Sequence, residues 1–459
     1  MTYFPSHNRI QSLLTLSAIV LCACTSPEPT DAAASKLEWL SYTGSNGGTP
    51  GWAGWSRGTG RGKTGDPAQL SALLIETGDK LSKVSSLLMP LGGIDAGRNA
   101  PEVGAYLNAI KADGARAWKA TITRQAAAVA GLPSKTQNVT WQIGNEINGE
   151  RISANLLGKD QNRASDPKTI PVYVEAYLAP SVEAIRQASL EKFGSDDRIR
   201  IMLGSVANAS GEASRAWLDQ LLSYRVVGTY APSLSGKSVA ELVDLISIHY
   251  LVTQGGPDWQ EKLEGIWKKW VGQGRIRGVW QTEEQGKRRA DAGYGASTTL
   301  RVTARNLHFF DTQGIGPNAG RFSFWGTDLG EPKTKGQDGM TALLESLGPS
   351  AVQEIGLSKL DAGLEAYAFA SVDDPGKRVA VVFPVERRNN ADEGFSDQDF
   401  AVSVNGFAIR NSTSGPGTAK ARVFTANGIR EVTVRFVENQ IKLTVPLELH
   451  EKETLLIQF

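Results

Sequence analysis

The sequence predicts an α/β protein, a (β/α)8 TIM barrel followed by a smaller antiparallel β-sandwich. Three observations predict it. Strand-like and helix-like stretches alternate as far as Pro349, as they do where crossover helices join parallel strands. Two of the strand-like runs end in glutamate, at Val139-Thr140-Trp141-Gln142-Ile143-Gly144-Asn145-Glu146 and at Gly278-Val279-Trp280-Gln281-Thr282-Glu283-Glu284. Beyond Pro349 short alternating segments take over, punctuated by Asp374-Pro375-Gly376, Asn405-Gly406 and Asn427-Gly428.

The chain of 459 residues has room for both parts. Its 49 basic and 48 acidic residues leave a net charge of +1, so no electrostatic footprint points to nucleic acid or another polyanion. Eleven Trp is a high count, and sugar-binding clefts use aromatic faces as platforms, although core packing accounts for most such residues.

The N-terminus reads as a targeting segment. Arg9 supplies a positive start, and Ile10 to Leu21 is apolar but too short to span a bilayer as a helix. Leu21-Cys22-Ala23-Cys24 resembles the bacterial lipoprotein box, which implies residues 1–24 as signal peptide and Cys24 as the acylated first residue. A plain signal peptide is the alternative. Residues 25–35 read as a flexible tether, 36–350 as the barrel and 351–459 as the sandwich. Both cysteines fall in the targeting segment, leaving the body without a thiol for a disulfide or metal. The expected location is the bacterial cell envelope, at the outer membrane, with membrane contact only through the lipid on Cys24.

Taken in order, Leu37 to Tyr42 is a first strand, followed by a Gly-rich loop from Gly44 to Gly65. Asp66 caps a helix from Pro67 to Lys83, with Pro at its first position. Ser86 to Leu91 is a strand closed by Gly92-Gly93, and Pro101 to Asp113 a helix. The stretch from Ala115 to Gly131 must supply a further short strand and helix. After Glu146, helices at Val172–Phe193, Glu212–Tyr224, Trp259–Val271, Thr298–Thr312 and Met340–Leu347 alternate with strands at Arg198–Leu203, Val243–Tyr250, Gly278–Thr282 and Arg321–Trp325. The total is about eight βα units, the number in a TIM barrel. Sandwich strands are expected at Leu364–Phe369, Arg378–Phe383, Phe400–Val404, Ala421–Phe424, Glu431–Phe436, Ile441–Val445 and Thr454–Phe459.

A carboxylate at the end of a barrel strand stands where such folds place their chemistry. Two of them suit glycoside hydrolysis with retention, which needs one protonated carboxyl for the leaving group and one ionised carboxyl for attack. Glu146 and Glu283 are the candidates, and Asn145 supplies an amide for a sugar hydroxyl. Glu284 competes with Glu283, because adjacent strand residues point to opposite sides. The phosphate-loop hint at Gly62-Lys63-Thr64 fails, since Arg57 stands where glycine is required. No Gly-x-Ser-x-Gly elbow and no clustered His/Asp ligand set occurs.

Asn145-Glu146 at a fourth strand end, with Trp280-Gln281-Thr282-Glu283 at a seventh, resembles the retaining glycosidases on TIM barrels known as clan A. Trp141-Gln142-Ile143-Gly144-Asn145-Glu146 is similar to the Gly-Asn-Glu variant of arabinofuranosidases and of the glucuronidase and heparanase group. The resemblance implies Glu146 as acid/base and Glu283 as nucleophile. It also implies a substrate-binding place near the sixth strand end for His249 or Tyr250, and one for Trp325 at the eighth. It implies a carbohydrate substrate, no metal or other cofactor, and a monomer. The bland readings are a helix-capping Glu146, a core His249 and a core Trp325. Trp52 and Trp55 could stack on sugars or pack their loop. A barrel that only binds glycan, a transglycosylase using the same residues and a lyase are the rival functions.

Overall fold

The computed structural model describes residues 40–43, 55–59, 67–68, 82–87, 115–136, 139–150, 163–284, 294–316, 318–325, 334–348, 352–385, 400–409, 417–437 and 440–459. The signal segment with Cys24, the tether, Trp52, the Pro101–Asp113 helix and residues 69–81 of the expected Pro67–Lys83 helix lie outside them. Among the described residues, no helix is long and apolar enough to cross a membrane.

The first sheet holds eight strands: β1 (Leu40–Thr43), β2 (Trp55–Thr59), β3 (Ser82–Leu87), β4 (Val139–Ile143), β5 (Ile199–Leu203), β6 (Leu245–His249), β7 (Gly278–Glu284) and β8 (Gly320–Trp325). Their order is β1-β8-β7-β6-β5-β4-β3-β2, and the pairings between neighbours are parallel. Chain order follows sheet order, as expected where each crossover lays the next strand beside the last.

Strands β4, β5, β6 and β7 are buried along their whole length, which explains their near-continuous apolar runs. Alternation still sorts their side chains. Val139, Trp141, Ile143, Ile199, Ile201, Leu203, Ile246, Ile248, Phe322 and Phe324 join the main core under the helices. Met202, Leu245 and Trp280 form a separate small cluster on the other face. The helical layer comprises α1 (Ala115–Ala130), α2 (Ala179–Phe193), α3 (Glu212–Ser223), α4 (Trp259–Ile266), α5 (Gly295–Thr312) and α6 (Thr334–Leu347). A π turn at Val174–Leu178 leads into α2, and another at Trp267–Val271 ends the Trp259 helix.

Three sequence expectations are corrected. Strand β2 lies inside the stretch expected as a Gly-rich loop. Its short Trp-Ser-Arg-Gly-Thr run lacks the apolar length that marks a buried strand. The Ala115–Gly131 stretch holds one helix and no strand, its seven alanines favouring the helix throughout. The third strand starts at Ser82, so Ser82 and Lys83 are extended where the helix was expected to end.

The second sheet has nine strands in the order β10-β13-β16-β15-β14-β17-β12-β11-β9, every pair antiparallel. These are β9 (Val352–Glu354), β10 (Leu357–Ser358), β11 (Leu364–Ser371), β12 (Arg378–Pro384), β13 (Ala401–Ile409), β14 (Gly417–Thr425), β15 (Gly428–Val437), β16 (Gln440–His450) and β17 (Thr454–Gln458). Strands that are not neighbours in the ladder, β11 with Leu364 and Ala368 and β13 with Val404 and Phe407, share one apolar core. One continuous ladder therefore links strands that pack on both sides of that core. Helix α5 joins the two sheets: Arg301 donates to the Glu451 and Glu453 carbonyls, and Arg305 pairs with Glu365 through two 2.8 Å hydrogen bonds.

Tight packing beneath the strand ends gives a first prediction. A Cβ on Gly204 would sit 2.4 Å from the Ile143 carbonyl oxygen and 2.5 Å from Ile147 Cγ2. Gly204→Ala should cost about 1–3 kcal/mol by overpacking. Urea unfolding tests this: a midpoint equal to the parent's at unchanged slope would refute the close approach.

Candidate active site

The C-terminal ends of β4, β6 and β7 converge. After Ile143 the chain turns at Gly144 (φ 93°), and Glu146 itself adopts a left-handed φ of 49°. Such a backbone is uncommon for a residue with a side chain and persists where the surroundings hold it. The Ile147 amide donates to the Ser205 carbonyl at 2.9 Å. Asn148, buried, grips Ala207 from both sides, accepting from its N–H at 2.7 Å and donating to its carbonyl at 3.1 Å. Its amide also reaches the Ser165 and Ser214 hydroxyls.

At the end of β6, His249 is fully buried and Tyr250 takes a left-handed φ of 60°. The Tyr250 amide donates to the Glu283 carbonyl at 3.0 Å, and its hydroxyl donates to Glu283 Oε2 at 3.1 Å. His249 Nδ1 lies 3.3 Å from Glu146 Oε1 and 3.7 Å from Glu283 Oε2. One carboxyl oxygen from each glutamate and this ring nitrogen all lie within 4.8 Å of one another. Two carboxylates and an imidazole so spaced could also hold a divalent cation. Glu283 is buried, whereas the Glu146 side chain is 39% exposed, so Glu146 is the carboxyl in reach of solvent.

Strand β7 decides between the adjacent glutamates. Trp280 and Thr282 face the sheet interior, Trp280 in the small cluster and Thr282 against Ser205, Ser247 and His249. Strict alternation would then aim Glu284 at the site. The register shifts against β8 between Gln281 and Glu284, and against β6 between Ile248 and His249. This irregularity brings Glu283 to the mouth and turns Glu284 into the layer beneath the helices. There Glu284 accepts from the Val252 amide at 3.3 Å, the Thr253 amide at 3.0 Å and the Thr253 hydroxyl.

The predicted residues Glu146, Glu283, His249 and Tyr250 are thus brought together. Asn145, half-buried, sits on the turn between Gly144 and Glu146. Trp325 ends β8 beside Thr43, and its side chain, like that of Trp55, lies outside the described residues. Sequence reasoning missed Asn148, Gln142, Ser205, Ser247 and Thr282. Their signal is small polar residues set singly into apolar strand runs, as in Ile246-Ser247-Ile248. Other buried carboxylates are structural: Glu175 accepts from the Val227, Gly228 and Thr229 amides at 2.8, 3.1 and 3.2 Å.

No family model and no curated protein sequence matches the chain. Among solved structures it is similar to a glycoside hydrolase family 44 endoglucanase from Clostridium thermocellum, at 13% identity over 74% of this chain and 70% of that one (TM-score 0.39). It is also similar to AbfB, a family 51 alpha-L-arabinofuranosidase from Bifidobacterium longum, at 10% identity over 82% and 76% (TM-score 0.40). A family 44 xyloglucanase from Paenibacillus polymyxa is similar at 9% identity over 74% and 69% (TM-score 0.38).

Burial pushes the Glu284 carboxyl up to about 7, against the lowering effect of its Thr253 and Val252 hydrogen bonds and of Arg305. A carboxyl raised in the folded state binds its proton more tightly there than in the unfolded chain. Its contribution to stability is complete below the ordinary value of 4.5 and is lost as pH rises through about 7. Folding stability should therefore decline across that window, and Glu284→Gln should lack this component. Unfolding midpoints measured against pH for both proteins test it: parallel profiles would contradict the raised carboxyl.

Proposed function

We propose that this chain is a retaining glycoside hydrolase that cleaves O-glycosidic bonds of a poly- or oligosaccharide by double displacement. The observation that carries this is the Glu146–Glu283 pair, with carboxyl oxygens within 4.8 Å at the C-terminal ends of parallel strands. Retaining enzymes hold their carboxyls about 5–5.5 Å apart, whereas inverting enzymes leave about 6.5–9.5 Å for a water. The separation favours the covalent route.

Glu283 is the nucleophile. The Tyr250 hydroxyl donates to its Oε2, orienting the ionised carboxylate toward an anomeric carbon. Glu146, partly exposed, is the acid/base: it protonates the leaving oxygen, then removes a proton from the incoming water. Attack forms a Glu283–anomeric carbon bond as the glycosidic C–O bond breaks; water then breaks the ester and restores both glutamates. In this reading Asn145 meets a sugar hydroxyl and Trp325 floors the subsite beside the cleaved bond. In the same proposal β1 and β2, the ends of the strand order, close the sheet into a TIM barrel. The chain is exported, held at the cell envelope by lipid on Cys24, and acts as a monomer.

Glu146→Gln should slow hydrolysis of substrates with poor leaving groups by about 10²–10⁴-fold while sparing activated aryl glycosides. Equal loss on both would remove the acid/base assignment. A panel of fluoro-sugar inactivators with peptide mapping by mass spectrometry should leave a glycosyl adduct on Glu283. An adduct on Glu284 would move the nucleophile by one residue, and no adduct from any sugar would favour a binding protein.

A further inference from the structure

His249 stands between the two carboxyls with a ring nitrogen aimed at each of two different surroundings. Its Nδ1 faces only carboxylate oxygens, Glu146 Oε1 at 3.3 Å and Glu283 Oε2 at 3.7 Å. Its Nε2 faces the Thr282 hydroxyl at 3.0 Å. An ionised carboxylate can only accept, whereas a hydroxyl can donate or accept. A neutral imidazole carries one N–H, so the surroundings select the tautomer with the proton on Nδ1. The opposite tautomer would set a bare lone pair against the anionic Glu283 and would take up the proton that Glu146 needs for the leaving oxygen.

That choice polarises a chain of buried groups below the site. With Nε2 an acceptor, Thr282 must donate to it. Thr282 can then accept from Ser247 at 2.6 Å or from Ser205 at 3.1 Å, and Ser247 from Ser205 at 2.8 Å. Ser205 accepts from the Gln142 side-chain amide, which also donates to the Gly144 carbonyl at 2.9 Å and so presents its NH₂. An amide NH₂ cannot accept. The chain is anchored at one end by a pure donor and at the other by the Glu283 carboxylate, which only accepts. Every member is buried: Gln142, Ser205, Ser247, Thr282 and His249 are each 0% exposed.

We propose that His249 is held as the neutral Nδ1–H tautomer by a one-way hydrogen-bond chain running from Gln142 through Ser205, Ser247 and Thr282, and that its single N–H serves the two catalytic carboxylates in turn. The functional half rests on the roles proposed for Glu146 and Glu283; the proton's position does not. Negative charge resides on Glu283 before attack and on Glu146 once its proton has passed to the leaving group. A small rotation of ring or carboxyl exchanges the partner that Nδ1–H meets. Thr282 and His249 are positioning residues here, and Glu146 remains free to give its own proton to the leaving oxygen instead of to His249.

The test is ¹⁵N NMR of the full chain labelled at its histidines, of which there are four, with the His249 signals identified by their loss in His249→Gln. The expected result near neutral pH is a protonated Nδ1 and a bare Nε2. A protonated Nε2, alone or with Nδ1, would overturn the proposal. This readout needs no substrate, so it stands or falls separately from the glycosidase function. For the functional half, Thr282→Val should lower kcat on an activated aryl glycoside by about ten- to a hundredfold with KM little changed, and Thr282→Ser should restore most of it. Equal rates for the Val and Ser variants would refute the positioning role.

Discussion

The site depends on one break in strand alternation. Within β7, Trp280 and Thr282 both face the sheet interior, and a regular strand would send Glu284 after them. The register shifts against β6 and β8 cancel that step, so Thr282 and Glu283 act on the same side. Two chemically identical neighbours then meet opposite surroundings. Glu283 meets a tyrosine hydroxyl and an imidazole, while Glu284 meets backbone amides and the Thr253 hydroxyl in a fully buried layer. Environment divides the roles here, as it does wherever paired carboxyls perform different tasks.

Holding the mouth in this form has an energetic cost, and the supports are local. Glu146 at φ 49° and Tyr250 at φ 60° occupy left-handed backbone, each at a cost on the order of 1–3 kcal/mol. Opposing it are hydrogen bonds that join neighbouring strand ends: Ile147 to Ser205, Asn148 to Ala207, and Tyr250 to Glu283. Below them Gly144 and Gly204 bring two strand ends close around Ile147 and Tyr173, whose hydroxyl donates to the Ile143 carbonyl at 2.8 Å. These two strained residues touch the proposed chemistry, and the tight packing lies one layer beneath.

The chain's order of strands was legible because fully buried parallel strands leave long apolar runs, and the carboxylate ends were legible because those runs break at Gly144-Asn145-Glu146 and Thr282-Glu283. Strand β2 was not, since five residues with one glycine and one arginine look like the loop around them. The choice between Glu283 and Glu284 could not come from alternation, which points to the wrong residue; it needs the register of the flanking strands. The hydroxyl chain was hidden for a different reason. Ser205, Ser247 and Thr282 are distant in sequence, and each alone reads as an ordinary small residue in a strand. Only the parallel register of β5, β6 and β7 places them in contact.

The second sheet bears on the site through α5. Arg305 is 1% exposed and is matched by Glu365 of β11, whose carboxyl Arg305 holds below its ordinary range against the opposing effect of burial. The Tyr367 hydroxyl donates to the same carboxylate at 2.6 Å. Arg305 also reaches the Val252 carbonyl at 3.4 Å and lowers the carboxyl of Glu284, which in turn accepts from Val252 and Thr253. Val252 and Thr253 follow Tyr250, the residue that orients Glu283. A buried charge stripped of its partner is destabilising by roughly 3–5 kcal/mol, far more than the intact pair contributes over an apolar replacement. Loss of Glu365 would leave the Arg305 charge behind β7 with only the Val252 carbonyl and the nearby Glu284 to meet it, so the β-rich part and the proposed site are electrostatically linked.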